Sequence, residues 1–193
     1  MHPQLNGTVD PDRPLLVVAT KEEAQFLRSE LPVLITGIGK VNAAVAVAGA
    51  LAGAVRPSEV INLGTAGALR PGLQGLYAVT GVIEHDLDHR LLYEMTGEVF
   101  GDRVELAGGD GLTLATGDVF VAGRPHRDTL AARADLVDME GYAVAVAAAR
   151  FGVPVRMIKY VSDQADENAA VTWLDSVTDC ARALAGWVAD ELG

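Results

Sequence analysis

The sequence predicts a single α/β domain with a mixed, largely parallel central sheet flanked by helices. Short apolar runs that suit strands alternate with longer stretches of helical spacing, which is typical of parallel α/β sheets. The chain of 193 residues is long enough for one domain with a substantial core. No internal repeat or second boundary divides residues 14–193. Residues 1–13 are polar and contain two prolines, so we predict a flexible amino-terminal tail.

The first strand and helix are predicted from an apolar run that turns polar. Residues 14–19 read Pro-Leu-Leu-Val-Val-Ala, which suits a central strand. Thr20 follows, and Glu23 stands three residues later, at the spacing of a capping box. Glu23 therefore has two interpretations, a structural helix cap or a carboxylate of a functional site.

The second strand, residues 33–36, runs into a glycine turn that matches neither of two phosphate-binding motifs. Lys40 of Gly37-Ile38-Gly39-Lys40 is followed by Val41 in place of Ser or Thr, and Asn42 stands where a dinucleotide fingerprint needs its third glycine. The glycines fit a tight turn with close backbone approach. A buried helix is predicted over residues 41–55.

The later strands carry further candidate ligand-binding segments. The third strand, residues 60–63, precedes Gly64-Thr65-Ala66-Gly67-Ala68, whose small side chains either leave room for a ligand or form a turn at the sheet rim. The strand over residues 153–161 ends at Ser162-Asp163, where open α/β sheets bind ligands, although Ser and Asp also cap helices. Further strands are predicted over residues 76–83, where Gly81 indicates a bulge, and over residues 112–116 and 134–137.

Three later helices complete the predicted fold, over residues 124–134, 143–151 and 171–192. Apolar residues recur at helical spacing in the last of them and are assigned to the core, including Trp173 and Leu174. Glu140 lies between an apolar strand and an apolar helix. It either serves the helix dipole or, if buried, needs a hydrogen-bonding partner.

The middle of the chain gives the weakest signal. His85 and His89 flank carboxylates within residues 84–89, but the spacing lacks the established zinc-ligand patterns. We therefore expect a polar loop over the site and no metal. Residues 91–111 follow no clear period and are predicted to be partly mobile.

Composition argues against several classes of partner. The net charge is −11 and no cluster of Lys or Arg is present, which disfavours nucleic acid and anionic membranes as partners on electrostatic grounds. No run of about 20 apolar residues predicts a transmembrane helix, and the first residues lack a signal-peptide pattern. The single Cys180 cannot form an internal disulfide, which favours a cytoplasmic location.

The distinctive polar residues fall at the junctions between strands and loops, which share one edge in a parallel sheet. They include three carboxylates, Glu23, Glu140 and Asp163, without a Ser-His or Cys-His constellation. This set suits acid–base cleavage of a polarised bond better than acyl transfer.

Four segments in order resemble the purine nucleoside phosphorylase/nucleosidase superfamily, in particular its methylthioadenosine/S-adenosylhomocysteine nucleosidase branch. They are residues 37–44, 62–69, 138–141 and 161–166. The resemblance implies a nucleoside phosphorylase-like fold. It also implies hydrolysis of the N-glycosidic bond of a purine nucleoside, with adenine as the expected base and without a cofactor.

The resemblance also implies a role for each matched residue. Asp163 corresponds to the acid that protonates purine N7, and Glu23 to the residue that activates the attacking water. Glu140 corresponds to the carboxylate that holds the ribose hydroxyls. The remaining expected substrate-binding residues are Ser162 beside the acid, Met139 beside the sugar, Thr65 near the water, Phe120 stacked on the base, Val121 at its edge, and Ile38, Ala66 and Gly67.

The nucleophile and the 5′ group of the substrate are less sharply defined by the sequence. Asn62 stands where hexameric phosphorylases carry a phosphate-binding Arg, which favours water over phosphate as the nucleophile. Thr20 replaces a Met of the 5′-alkylthio pocket and Lys159 replaces an Arg, so a futalosine-type nucleoside is an alternative substrate. A phosphate-dependent phosphorylase and a catalytically inactive nucleoside-binding protein stay open as functions. The family's habit of sharing sites between subunits predicts a homodimer.

Overall fold

The computed structural model describes residues 2–28, 30–106 and 108–193, and it confirms the predicted α/β fold with a mixed sheet. The predictions for residues 1–13 and 91–111 include Met1 and Ala107, which lie outside the described residues. The strands are β1 Gln4–Asn6, β2 Leu15–Val18, β3 Val33–Ile35, β4 Val60–Ala68, β5 Gly75–Glu84, β6 Val104–Glu105, β7 Leu112–Thr116, β8 Leu136–Asp138 and β9 Val155–Asp163. The helices are α1 Lys21–Ala24, α2 Lys40–Leu51, α3 His89–Thr96, α4 Arg124–Leu130, α5 Gly141–Arg150 and α6 Ala169–Leu192.

Five strands of the sheet close into a ring. β4 pairs antiparallel with β8, β8 and β5 both pair parallel with β7, and β9 joins β5 back to β4. The parallel strands β2 and β3 continue the sheet outward from β4, and β1 and β6 are added at its ends. Because β8 and β9 both pair with β4, the residues at the ends of these three strands meet in one place.

Helices cover both faces of the sheet. On one face α2 and α5 pack against β2 and β4 through Ala and Val side chains such as Ala43, Val47, Val144 and Ala148. On the other face α6 packs through Leu184 and Val188 onto β2, β4 and β9. The small side chains of α2 and α5 let these helices lie close together. The prediction of a buried helix over residues 41–55 is wrong for α2, which ends at Leu51 and buries one face only, since Val41 and Val45 are exposed.

Three segments differ from the sequence-based prediction. Residues 4–6, predicted as part of a flexible tail, form β1 and pair antiparallel with β3. Gly64–Ala68, predicted as a loop or turn, continues β4, because its small residues allow β8 and β9 to pair on both sides of it. The predicted mobile segment also contains helix α3, which Asp88 caps at its amino end.

Two local predictions are confirmed. Thr20 caps α1 in a capping box with Glu23, since the Thr20 hydroxyl accepts from the Glu23 amide and the Glu23 carboxylate accepts from the Thr20 amide. The pairing of β5 with β7 is irregular between Val79 and Gly81, where a bulge was expected. Within the described part of the chain, no helix has both the length and the apolarity to cross a membrane.

Candidate active site

A cleft of about 340 Å³ opens where β2, β4, β8 and β9 end. All eleven site residues predicted from the sequence line this cleft. They are Glu23, Ile38, Thr65, Ala66, Gly67, Phe120, Val121, Met139, Glu140, Ser162 and Asp163.

Glu23 is held from both sides at the bottom of the cleft. One carboxylate oxygen, Oε2, accepts from the amides of Ala19 and Thr20 at 3.2 and 3.1 Å. The other, Oε1, accepts from the amide and hydroxyl of Thr65 at 2.9 and 3.1 Å. The side chain is almost fully buried. Glu23 therefore caps α1 and also places a carboxylate inside the cleft. The two interpretations, a helix cap and a carboxylate of a functional site, are compatible.

Asp163 ends β9 beside a bulge in the pairing of β4 with β9, between Ala66 and Gly67. Its Oδ2 accepts from the Ser162 hydroxyl and its Oδ1 from the Ala165 amide, both at 2.8 Å. Burial raises the pKa of Asp163 above its ordinary value, although these two hydrogen bonds lower it. A Cβ on Gly67 would lie 3.0 Å from Oδ1. A side chain larger than hydrogen at position 67 would therefore crowd the acid.

Glu140 lies at the start of α5, facing the amino-terminal end of α2. Its Oε1 accepts from the Gly39 amide at 2.8 Å, and Gly39 has φ of 96°, a conformation that favours glycine. Burial, and next the charge of Asp138, raise the pKa of Glu140 to about 8. The Glu140 carboxyl is therefore partly protonated near neutral pH.

A buried ion pair lies beneath these carboxylates. Lys159 Nζ is 2.8 Å from Asp138 Oδ2, and both side chains are nearly inaccessible to solvent. Asp138 also accepts from the Thr116 hydroxyl at 2.6 Å and the Gly141 amide at 2.9 Å. Burial disfavours the charge on Lys159, but the carboxylates of Asp138, Glu140 and Glu23 outweigh it and raise the pKa of the ammonium group. The pair joins β9 to the end of β8, two residues before Glu140.

The cleft thus has two parts with different chemistry. The floor comprises five polar residues that are all buried, namely Glu23, Asp138, Glu140, Ser162 and Asp163, and the buried Lys159 lies beneath it. The rim comprises four apolar residues with exposures of 51, 52, 45 and 66%, namely Ile38, Val119, Phe120 and Leu174.

Comparison with known proteins identifies the family. The sequence model of the phosphorylase superfamily matches residues 17–107 and 111–189 of this chain. The chain belongs to the phosphorylase superfamily. This confirms the resemblance drawn from the four sequence segments.

Within this superfamily the chain is similar to several nucleosidases. It is 31% identical to a 5′-methylthioadenosine/S-adenosylhomocysteine nucleosidase of Geobacillus kaustophilus, over 75% of this chain and 71% of the relative. It is 27% identical to an aminodeoxyfutalosine nucleosidase of Helicobacter pylori, over 77 and 74% of the two chains. Among solved structures, a 5′-methylthioadenosine/S-adenosylhomocysteine nucleosidase of Neisseria meningitidis in complex with methylthio-immucillin-A aligns with a TM-score of 0.81 and 25% identity, covering 93% of this chain and 97% of that one.

The sequence-based prediction missed two groups of residues in the site. Trp173 and Leu174 were assigned to the core of α6, but both line the cleft, and the Trp173 indole N–H donates to the Thr65 hydroxyl at 2.9 Å. Their helical spacing matches that of the buried residues farther along α6, so spacing could not separate them. Asp138 and Lys159 were also given no role, although a charged residue at each of two buried strands was a usable signal of pairing.

The two histidines considered as metal ligands are engaged with other groups. The ring nitrogens of His89 lie 2.8 and 3.0 Å from the carbonyl oxygens of Phe100 and Glu84. His85 packs edge-on against His126, with ring centroids 5.6 Å apart. Among the described residues, no three His, Cys, Asp or Glu side chains are grouped as metal ligands.

Proposed function

We propose that this protein is a purine nucleosidase that hydrolyses the N-glycosidic bond of an adenine nucleoside such as 5′-methylthioadenosine or S-adenosylhomocysteine. The observation that carries the proposal is the meeting of Asp163, Glu140 and Glu23 in one cleft. Each carboxyl group has a different environment there. Groups of one type with different environments can divide the acid, base and binding roles among them.

Asp163 is the proposed general acid. Its raised pKa increases the fraction that carries a proton near neutral pH. Transfer of this proton to N7 of the purine lets the C1′–N9 electron pair leave with a neutral base. Ser162 bonds the acid and holds its side chain in place.

Glu23 is the proposed base. A water molecule attacks C1′ as the C1′–N9 bond breaks, and Glu23 accepts one proton from that water. Thr65 lies within hydrogen-bonding distance of Glu23, close to the proposed path of the water. The products are the free base and a ribose derivative with a hydroxyl on C1′, so one water is consumed for each nucleoside.

Glu140 and the rim are proposed to bind the substrate. Glu140 accepts hydrogen bonds from the ribose hydroxyls, and its ionised form stabilises the positive charge that develops on the sugar ring. Met139 packs beside the sugar, while Phe120 stacks on the base and the backbone of Val121 contacts its edge. Ile38, Ala66 and Gly67 supply the remaining apolar and backbone contacts.

Water is favoured over phosphate as the nucleophile. Among the described residues that line the cleft, none is an Arg or a Lys, so no side chain there offers a positive charge to an anion. Asn62, at the position where a phosphorylase Arg was considered, is buried and donates to the Val17 carbonyl at 3.2 Å. A phosphate ion in this cleft would face three carboxylates without a compensating cation.

A futalosine-type nucleoside is the second candidate substrate. Thr20 lines the cleft with a hydroxyl in place of a thioether side chain, and one similar protein is an aminodeoxyfutalosine nucleosidase. A thioether substrate would place the enzyme in methionine salvage. The two substrates differ at the 5′ end only, so they use the same floor.

The deciding experiment is a panel of nucleosides followed by chromatography of the free base. We expect adenine release from methylthioadenosine or aminofutalosine at the same rate with and without phosphate. Strict dependence on phosphate would reassign the protein as a phosphorylase. Tight binding of a nucleoside without base release would instead indicate an inactive binding protein.

We further propose that the enzyme is a cytoplasmic homodimer. Val41 and Val45 on α2 are exposed next to the apolar rim, and a second copy of the chain would cover such a surface. Sedimentation equilibrium should give twice the monomer mass, and the double change Val41→Asp and Val45→Asp should return it to the monomer mass. A monomer at concentrations of tens of micromolar would rule the dimer out.

A further inference from the structure

We propose that Trp173 is a positioning residue that orients the Thr65 hydroxyl toward Glu23. This inference rests on the proposed function, because it assigns Glu23 as the base. The indole Nε1 donates to Thr65 Oγ1 at 2.9 Å, and Thr65 Oγ1 donates to Glu23 Oε1 at 3.1 Å. Three elements that are far apart in sequence, α6, β4 and α1, are thereby connected through one chain of hydrogen bonds.

The direction of this chain is fixed by chemistry. An indole N–H can only donate, and an ionised carboxylate can only accept. The Thr65 hydroxyl lies between them with one proton, so it must accept from Trp173 and direct its own proton to Glu23. Accepting a hydrogen bond also makes a hydroxyl a better donor, because neighbouring bonds polarise one another.

The position of Thr65 makes this orientation matter for Glu23. The Thr65 amide donates to the same oxygen, Oε1, so this oxygen is held by one residue through two bonds. The other oxygen is held by the amides of Ala19 and Thr20. Without the indole, the Thr65 hydroxyl is free to rotate toward water. The hydrogen bond from this hydroxyl to Glu23 Oε1 is then lost for part of the time, and only the bond from the Thr65 amide remains.

The competing explanation is that Trp173 is only an apolar wall of the cleft. The change Trp173→Phe distinguishes the positioning role from the apolar wall, because it keeps an aromatic ring and removes the N–H. Trp187 provides a matched control on the same helix. It packs against the Arg156 guanidinium, 5.6 Å from its ring centroid, and does not line the cleft.

The first test measures kcat and KM for adenine release. We expect Trp173→Phe to lower kcat about 3- to 10-fold, which corresponds to the net worth of one hydrogen bond, with KM changed less. Thr65→Val removes the hydroxyl through which Trp173 acts on Glu23. Adding Trp173→Phe to Thr65→Val should therefore change kcat little further. A Trp173→Phe enzyme with the kcat and KM of Trp187→Phe would overturn the proposal.

The second test does not depend on turnover. In the Trp187→Phe protein, Trp173 gives the remaining indole N–H signal in a proton–nitrogen correlation spectrum. We expect this signal to shift on Thr65→Val and on Glu23→Gln, and to stay in place on Glu22→Gln, which changes an exposed neighbour. A signal whose chemical shift stays unchanged in both Thr65→Val and Glu23→Gln would overturn the proposed chain of hydrogen bonds. If no nucleoside is cleaved while the signal responds as expected, the proposed function fails and the chain of contacts stands.

Discussion

The floor and the rim of the cleft adjoin each other, yet they are built in opposite ways. Each carboxylate of the floor accepts hydrogen bonds, as Glu23 does from Thr65 and Asp163 does from Ser162 and Ala165. The rim has apolar side chains that are about half exposed, such as Phe120 and Leu174.

This difference assigns the chemistry to the floor and the selectivity for substrate to the rim. A buried charge is tolerable only when it is paired and hydrogen-bonded, so the floor is fixed by many partners and allows little variation. Apolar side chains at the surface need no particular partner, so the rim can change without loss of the fold. Changes in the floor should therefore affect catalysis and stability, whereas changes in the rim should affect substrate affinity.

The largest expected effect is on the acid of the floor. Asp163→Asn cannot deliver a proton, so kcat for adenine release should fall by about 10²- to 10⁴-fold. The melting temperature should change little, since Asn has nearly the same shape. Asp166→Asn is the matched control, because Asp166 bonds the Asn168 amide in a turn, and its kcat should stay within about threefold. An Asp163→Asn enzyme with more than a tenth of the original kcat would contradict the acid role.

The next effect concerns the buried cation. Lys159→Met leaves Asp138 buried without its partner, so the free energy of unfolding in urea should fall by roughly 3–5 kcal/mol. Arg156→Met breaks the pair with Glu59, whose side chains are partly exposed, and should cost about 1 kcal/mol or less. Adding Asp138→Asn to Lys159→Met should restore part of the loss. Equal losses for Lys159→Met and Arg156→Met would show that the floor is no more constrained than the surface.

The pH dependence of stability gives a third test of the floor. Glu140 has a folded-state pKa of about 8 against 4.5 in the unfolded chain, so between these values the folded protein binds more protons than the unfolded one. Its contribution to stability is therefore present below the unfolded value and is lost as the pH rises through about 8. Calorimetry should show a melting temperature that falls from about pH 5 to pH 8.

Glu140→Gln is the control for this dependence, because it removes one titrating group from the window. It should flatten the slope, leaving the smaller part that Asp163 contributes in the same direction through its own raised pKa. A slope that Glu140→Gln leaves unchanged would show that Glu140 is ionised in the folded protein.

The smallest effect is expected at the rim. Phe120→Ala removes the proposed stacking on the base, so KM for the nucleoside should rise about 5- to 30-fold while kcat changes less. Phe100→Ala is the control, since Phe100 is similarly exposed and does not line the cleft. A fall in kcat that exceeds the rise in KM would place Phe120 functionally with the floor.

The floor could be predicted from sequence to a large extent, and the reason is physical. Glu23, Glu140 and Asp163 each follow an apolar strand, and strand ends converge where neighbouring strands pair. The small residues from Gly64 to Ala68 also signalled close approach, although they form strand instead of a turn. Short motifs at such junctions therefore indicate both where a strand ends and which polar side chain follows it.

The contacts that join distant segments could not be predicted in this way. Trp173 has the same helical spacing as core residues such as Val177, and only the structure shows that the first turns of α6 extend over the cleft. The pairing of β9 with both β4 and β5 depends on the three-dimensional path of the chain. Strand β1 is exposed along its length, so its sequence carries no burial pattern that marks it as a strand.

The ring formed by β4, β8, β7, β5 and β9 has a consequence for local unfolding. A strand in a closed ring has a neighbour on each side, so releasing the strand to solvent requires breaking two sets of ladder bonds. Amide hydrogens of β4 and β9 should therefore exchange with deuterium only when the whole domain opens, while those of α3, which has no buried residue, exchange first. On this basis Asp163 on β9 and Thr65 on β4, which hydrogen-bonds Glu23, keep their separation in every partly open form that leaves the ring intact.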